Sequence, residues 1–161
     1  MRGNHDEAVL RWRAGDAPEG KVLKPEHRQV LDTLAPEDWA YLEALPTARD
    51  FPELNVVVVH GGLVPGVPLE AQRREDLLNL RSIRPDGTGS KKLGDGVPWA
   101  SVWKGPRTAV FGHDAVRGFQ RYSHAVGLDT GCVYGRALTA WVLPEDVFHS
   151  VPARRAYVSI D

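Results

Sequence analysis

The run Val56-Val57-Val58-Val59, inside Leu54-Asn55-Val56-Val57-Val58-Val59-His60-Gly61-Gly62, constrains this chain more than any other stretch. A strand with one wet face alternates apolar and polar residues, whereas consecutive β-branched side chains leave no polar face. The run therefore predicts a strand covered on both sides. Layers on either side of it fit within one domain of 161 residues. With 42% hydrophobic residues and five tryptophans, the sequence has the apolar material for such a core. The strand ends in His60, and the chain turns there on Gly61 and Gly62.

Around this strand the sequence reads first as helices and then as strands. Asn4 is a good N-cap, acids follow it and Gly15 stops the pattern, which predicts a helix over His5 to Ala14. Residues 16–25 read as a loop. Helices are expected over Glu26 to Leu34 and Pro36 to Leu45, with Trp39, Leu42 and Leu45 on one face. Leu69 to Leu80 has helical spacing, and residues 84–98, with their glycines and prolines, read as a mobile loop near the mouth of a pocket. Pro98 to Trp103 predicts a short helix that packs Trp99 and Trp103, with nucleobase stacking as the second reading.

Thr108 to Asp114 repeats the earlier pattern of an apolar strand, then glycine, then histidine. Further strands are expected over Phe119 to Tyr122, Ala125 to Asp129, Ala137 to Leu143, Val147 to Val151 and Tyr157 to Ile160. The order suggests an α/β layered domain.

Twenty basic residues against 21 acidic ones create no global field for nucleic acid or an anionic membrane, so a phosphate-bearing ligand must be held locally. The single Cys132 excludes an internal disulfide and a Cys-based zinc site, and reads as a small buried hydrophobe. No apolar run reaches the roughly 18 residues a membrane span requires, and no basic-then-apolar leader is recognisable. The expectation is a cytoplasmic protein with no membrane partner and no stable nucleic-acid partner.

Three stretches share one design. Gly3-Asn4-His5-Asp6 leads into a helix, while His60 and His113 each follow a strand. Loops at strand ends are where α/β sheets place ligand sites. A histidine alone at such a place reads as a hydrogen-bonded core residue; the three stretches together carry more.

Asn4-His5-Asp6, Val59-His60-Gly61-Gly62 and Phe111-Gly112-His113, in this order, resemble the later motifs of the calcineurin-like metallophosphoesterases. The likeness is to the branch of the bacterial diadenosine tetraphosphatases and Ser/Thr protein phosphatases. It runs from Arg2 to about Thr139 and includes Gly127-Leu128-Asp129-Thr130-Gly131-Cys132-Val133-Tyr134. The resemblance implies a layered β-sheet core with flanking helices and two divalent metals of the Mn, Fe or Zn class. Asn4, His60 and His113 match ligands of the second metal. His5 matches the general acid that protonates the leaving oxygen, and Asp6 the partner that orients it. Arg81 falls where similar proteins carry an arginine, and a guanidinium there would clamp phosphate.

The implied substrate is a phosphate ester or a dinucleoside polyphosphate, cleaved as by a phosphatase or a symmetrical tetraphosphate hydrolase. Two divalent ions about 3.5–4 Å apart can hold a phosphoryl group and stabilise its in-line displacement. Imidazole nitrogen and amide oxygen suit borderline cations.

The family pattern opens with Asp-x-His and Gly-Asp-x-x-Asp-Arg, and neither occurs in this sequence. Ala115 stands where many phosphoesterases carry a second His after Gly112-His113. The resemblance therefore implies that residues 1–161 are the C-terminal portion of a single metallophosphoesterase domain without its N-terminal β-α-β unit. A translation start placed too late, at Met1, would account for this. Two expectations follow: the neutral ligands bind metal weakly, and the valine strand presents an unprotected edge or face. The alternative is a non-catalytic remnant or a binding subunit completed by another chain.

Overall fold

The computed structural model describes residues 1–17, 20 and 22–158. Three helices lead, α1 (Asn4–Arg13), α2 (Pro25–Thr33) and α3 (Pro36–Ala44). In chain order follow β1 (Ala48–Phe51), β2 (Val56–Val59), α4 (Arg74–Asn79), the short strands β3 (Ser82–Ile83), β4 (Gly89–Ser90) and β5 (Val97–Pro98), and α5 (Trp99–Val102). Then come β6 (Thr108–Phe111), β7 (Gln120–Tyr122), β8 (Ala125–Gly127), β9 (Ala137–Val142) and β10 (Val147–Pro152).

The main sheet has the order β1-β2-β6-β8-β7. β2, β6 and β8 run parallel, and β1 and β7 close the two edges antiparallel. The fold is the mixed α/β class read from the sequence. The expected exposed edge at the valine strand is not found. β1, which no pattern in the sequence announced, pairs Ala48 to Phe51 with Val59 to Val56 and covers that edge. Three of the four valines are buried, so both faces are largely covered as well.

The core lies between β2, β6, β8, Trp99 of α5 and Trp103 just after it. Trp99 is 1% exposed and meets Phe111 edge-on at 4.7 Å between ring centroids. Trp103 is buried beside it and donates its indole N–H to the Arg107 carbonyl at 3.0 Å. Both rings are core, which removes the nucleobase-stacking alternative.

Several local readings need correction. The helix expected from Leu69 breaks at Gln72, whose buried amide hydrogen-bonds the Val64 N–H and the Val64 and Val67 carbonyls, pinning a loop rather than continuing a turn. Residues 84–98 are not a structureless loop. β4 and β5 flank β3 in a three-stranded sheet, and Arg84 ties the turn by donating to the Gly89 carbonyl at 2.6 Å. Tyr157 and Val158 form a bend, and Ser159 and Ile160 lie outside the described residues. Cys132 is half-buried and its thiol is free.

The N-terminal helices are tied to the rest by charge. The Arg2 guanidinium, almost fully buried, caps α3 by donating to the Leu42 and Glu43 carbonyls at 3.0 and 2.6 Å. Glu7 on α1 accepts from Arg2 and, through both carboxylate oxygens, from Arg74 on α4. Arg74 first, and Arg2 with it, hold the Glu7 carboxyl below its ordinary pKa.

Candidate metal centre and catalytic cleft

Parallel pairing of β2 and β6 puts their C-terminal ends on the same edge, so His60 and His113 emerge side by side. Their ring centroids are 5.1 Å apart. Asn4 reaches them from α1. Gly3, rather than Asn4, is the N-cap, because the Asp6 carboxylate accepts the Gly3 N–H at 2.7 Å. Asn4 is the first helical residue, and its Oδ1 lies 2.8 Å from His60 Nε2. A side chain at position 3 would stand 3.1 Å from the His60 ring, so glycine lets α1 approach the strand end.

Gly61 and Gly62 serve packing. Their N–H groups donate to the Leu77 and Asp76 carbonyls of α4, and a Cβ on Gly61 would lie 2.5 Å from the Asn79 nitrogen. His113 sits at the centre of a γ-turn: the Asp114 N–H donates to the Gly112 carbonyl at 2.7 Å, and His113 has φ 65. A left-handed backbone at a non-glycine residue is strained, and strain of this kind collects at functional sites.

The donor set fits a divalent cation. His113 Nε2 is buried without a hydrogen-bond partner among the described residues. An unpartnered ring nitrogen can ligate a cation through its lone pair in the tautomer that carries its proton on the other nitrogen. Burial first, and then the positive charge of Arg81, push the His113 pKa down to about 3. Burial likewise lowers His60, against the opposing pull of Asp129 and Asp6. Both rings are thus neutral at pH 7, as ligands must be. Among the described residues no group of three His, Cys, Asp or Glu side chains is placed to hold a metal. The third donor is the Asn4 amide oxygen, and the set carries no carboxylate.

His5, the residue after Asn4, is exposed. Its Nδ1 is 2.9 Å from Nε2 of His27, a buried residue of α2. This differs from the expected His5–Asp6 pair. In this structure the hydrogen bond of Asp6 runs back to Gly3, because the N3 side chain of a helix faces its own N-cap.

Arg81 stands next to His113 and donates to the His113 and Lys91 carbonyls at 3.2 and 3.1 Å. Its Nε lies 3.9 Å from the buried carboxylate of Asp114, which also pairs with Arg117. His5, Arg81 and His113 share a cleft of about 730 Å³ with Val116, Val133 and Tyr134.

The structure therefore brings Asn4, His60 and His113 together, with His5 and Arg81 along the adjoining cleft. Sequence reasoning missed His27, Asp114, Arg117 and Asp129. Asp114 and Arg117 carried a signal, opposite charges three residues apart directly after His113. His27 carried none, because 22 residues separate it from His5.

No family model matches the sequence. A solved structure described as a candidate diadenosine tetraphosphatase superposes with a TM-score of 0.83 at 36% identity, covering 94% of this chain and 66% of that one. A curated protein of Halalkalibacterium halodurans is 31% identical over 98% of this chain and 67% of its own length. The chain belongs to the calcineurin-like metallophosphoesterase family of hydrolases. The H. halodurans relative is an asymmetrical bis(5'-nucleosyl)-tetraphosphatase, PrpE. A protein of the same name from Geobacillus is 39% identical over 72% of this chain and 47% of its own length. This chain thus spans about half to two thirds of the length of the relatives it matches. Their name specifies the asymmetrical reaction, where the sequence reading left open a phosphatase or a symmetrical tetraphosphate hydrolase.

Proposed function

We propose that residues 1–161 form the portion of a metal-dependent phosphohydrolase domain that holds one divalent ion, supplies the general acid and walls the substrate cleft. The proposed substrate is a dinucleoside polyphosphate cut off-centre. The observation that carries this reading is the meeting of Asn4 Oδ1, His60 Nε2 and the bare, buried Nε2 of His113 at one edge of the sheet.

Asn4, His60 and His113 would hold an ion of the Mn, Fe or Zn class. When bound, that ion supplies Lewis acidity to a phosphoryl oxygen. The remaining roles belong to the protein. Hydrolysis adds water across a P–O bond: the phosphorus gains the hydroxyl, and the departing oxygen needs a proton. His5, exposed on the cleft, gives that proton from the ring nitrogen that His27 leaves free. Asp6 is a positioning residue, closing the first turn of α1 on which Asn4 and His5 sit. Arg81 has donors committed to two carbonyls, so it acts through its charge and by holding the His113 turn rather than as a free bidentate clamp. The Asp-x-His and Gly-Asp-x-x-Asp-Arg motifs do not occur in these residues, so a second metal requires ligands from outside residues 1–161.

The test is Mn-dependent hydrolysis of p-nitrophenyl phosphate and diadenosine tetraphosphate by this chain and by its reading frame extended upstream of Met1, each beside His5→Ala. Activity that appears in the extended form, and that falls in His5→Ala by more on diadenosine tetraphosphate than the loss of metal binding explains, supports the proposal. Full activity in His5→Ala would remove the assigned acid, and no hydrolysis by either form would remove the enzymatic reading.

A further inference from the structure

The cleft that holds His5, Arg81 and His113 is also lined by Val116, Val133 and Tyr134, and by the charged Lys24 and Glu26. Val116 and Val133 are 53% and 46% exposed, so both are accessible to a ligand in this cleft.

Val133 and Tyr134 are held in place by backbone. The Tyr134 N–H donates to the Gly131 carbonyl at 3.0 Å, and the Tyr157 N–H to the Val133 carbonyl at 2.8 Å. Tyr134 also bridges to Ala156. Val116 follows the Gly112–Asp114 turn that carries His113, and Arg136 ties the two segments by donating to the Ala115 carbonyl at 2.9 Å.

A cleft that combines the cations Lys24 and Arg81 with the side chains of Val116, Val133 and Tyr134 fits a phosphate attached to a flat, weakly polar group. A hydrolase that cuts a tetraphosphate at its centre must keep two phosphates between the reaction and either base. One that cuts off-centre must seat a nucleoside near the reacting phosphorus. Here Val116, Val133 and Tyr134 line the same cleft as the histidines.

We propose that Val116, Val133 and Tyr134 form the seat of the nucleobase nearest the scissile phosphate, with the Tyr134 ring as its stacking face. This inference rests on the phosphohydrolase reading above and adds the residues that make the cut asymmetrical.

It is tested by NMR titration of this chain, labelled at valine methyls and histidine rings, with AMP and with ribose 5-phosphate, which lacks the base, both in the presence of Zn(II). Both ligands are expected to shift the His5 and His113 rings, and AMP alone to shift the Val116 and Val133 methyls. Tyr134→Ala should weaken AMP about tenfold and leave ribose 5-phosphate unchanged, while Tyr134→Phe keeps wild-type AMP affinity. An unchanged ribose 5-phosphate response also shows that the variant is folded.

Equal affinity for the two ligands, or no effect of Tyr134→Ala on AMP, overturns the nucleobase seat while the ring shifts keep the phosphohydrolase reading standing. No ring shift with either ligand overturns that reading and the seat with it.

Discussion

His113 combines a left-handed backbone with a buried ring nitrogen that has no partner among the described residues, and its proton affinity carries a consequence for the fold. Its pKa is pushed down to about 3. Below pH about 6.5 the unfolded chain takes up a proton on this ring that the folded chain refuses until about pH 3, so stability is lost as pH falls through that window. Urea unfolding at pH 7 and pH 5 should show a larger loss for the native chain than for His113→Gln; equal losses would mean that the ring is not held neutral. His27 makes a second prediction. Two imidazole nitrogens 2.9 Å apart must divide into one donor and one acceptor, and burial lowers the His27 pKa, keeping that ring neutral. His27→Ala should therefore lower turnover of alkyl phosphates by roughly tenfold and that of p-nitrophenyl phosphate much less, because the nitrophenolate leaves without a proton. His27→Gln, which keeps a side-chain acceptor for the His5 Nδ1–H, should restore it; equal losses on both substrates would assign His27 to stability alone.

Elements meet at positions where a single methyl group decides. Gly61 joins β2 to α4, and an added Cβ would face the backbone of Leu78 and Asn79 at 2.7 and 2.5 Å. Backbone cannot swing aside as a side-chain tip can, so Gly61→Ala is expected to cost about 1–3 kcal/mol by chemical denaturation. Gly94→Ala, with nothing within 4 Å of the new methyl, should cost close to nothing. The β9–β10 hairpin has the opposite problem. Its register sets Leu138 against Val151 and Val142 against Val147, and all four are exposed on one face. The pair Leu138→Lys and Val151→Glu should reduce self-association in light scattering with little change in unfolding midpoint, since it breaks an apolar patch without touching the core. Unchanged association would show that this face does not drive it.

For the whole molecule, the charge of the proposed metal site sets what the chain can hold by itself. An amide and two neutral imidazoles offer no compensating negative charge, so Mn(II) at 1 mM should raise Tm by only about 1–2 °C, and His60→Ala should abolish the rise. A rise several times larger would reveal a further ligand within these residues. No helix among the described residues is long and apolar enough to cross a membrane. The sequence by itself determined the buried valine strand, the three leading helices, the strand-then-histidine repeat and the identity of Asn4, His60 and His113 as candidates. The strand, the helices and the repeat are local patterns, in which residue type and spacing are set by one element's own periodicity, whereas the three candidates rest on the resemblance of their motifs. Tertiary structure alone decided the rest. β1 exists because Val56 to Val59 need an edge partner, His5 is held by His27 rather than by Asp6, and Val116, Val133 and Tyr134 line the cleft with the histidines. These facts depend on which distant segments the sheet order brings to one edge, and no spacing along the chain encodes that.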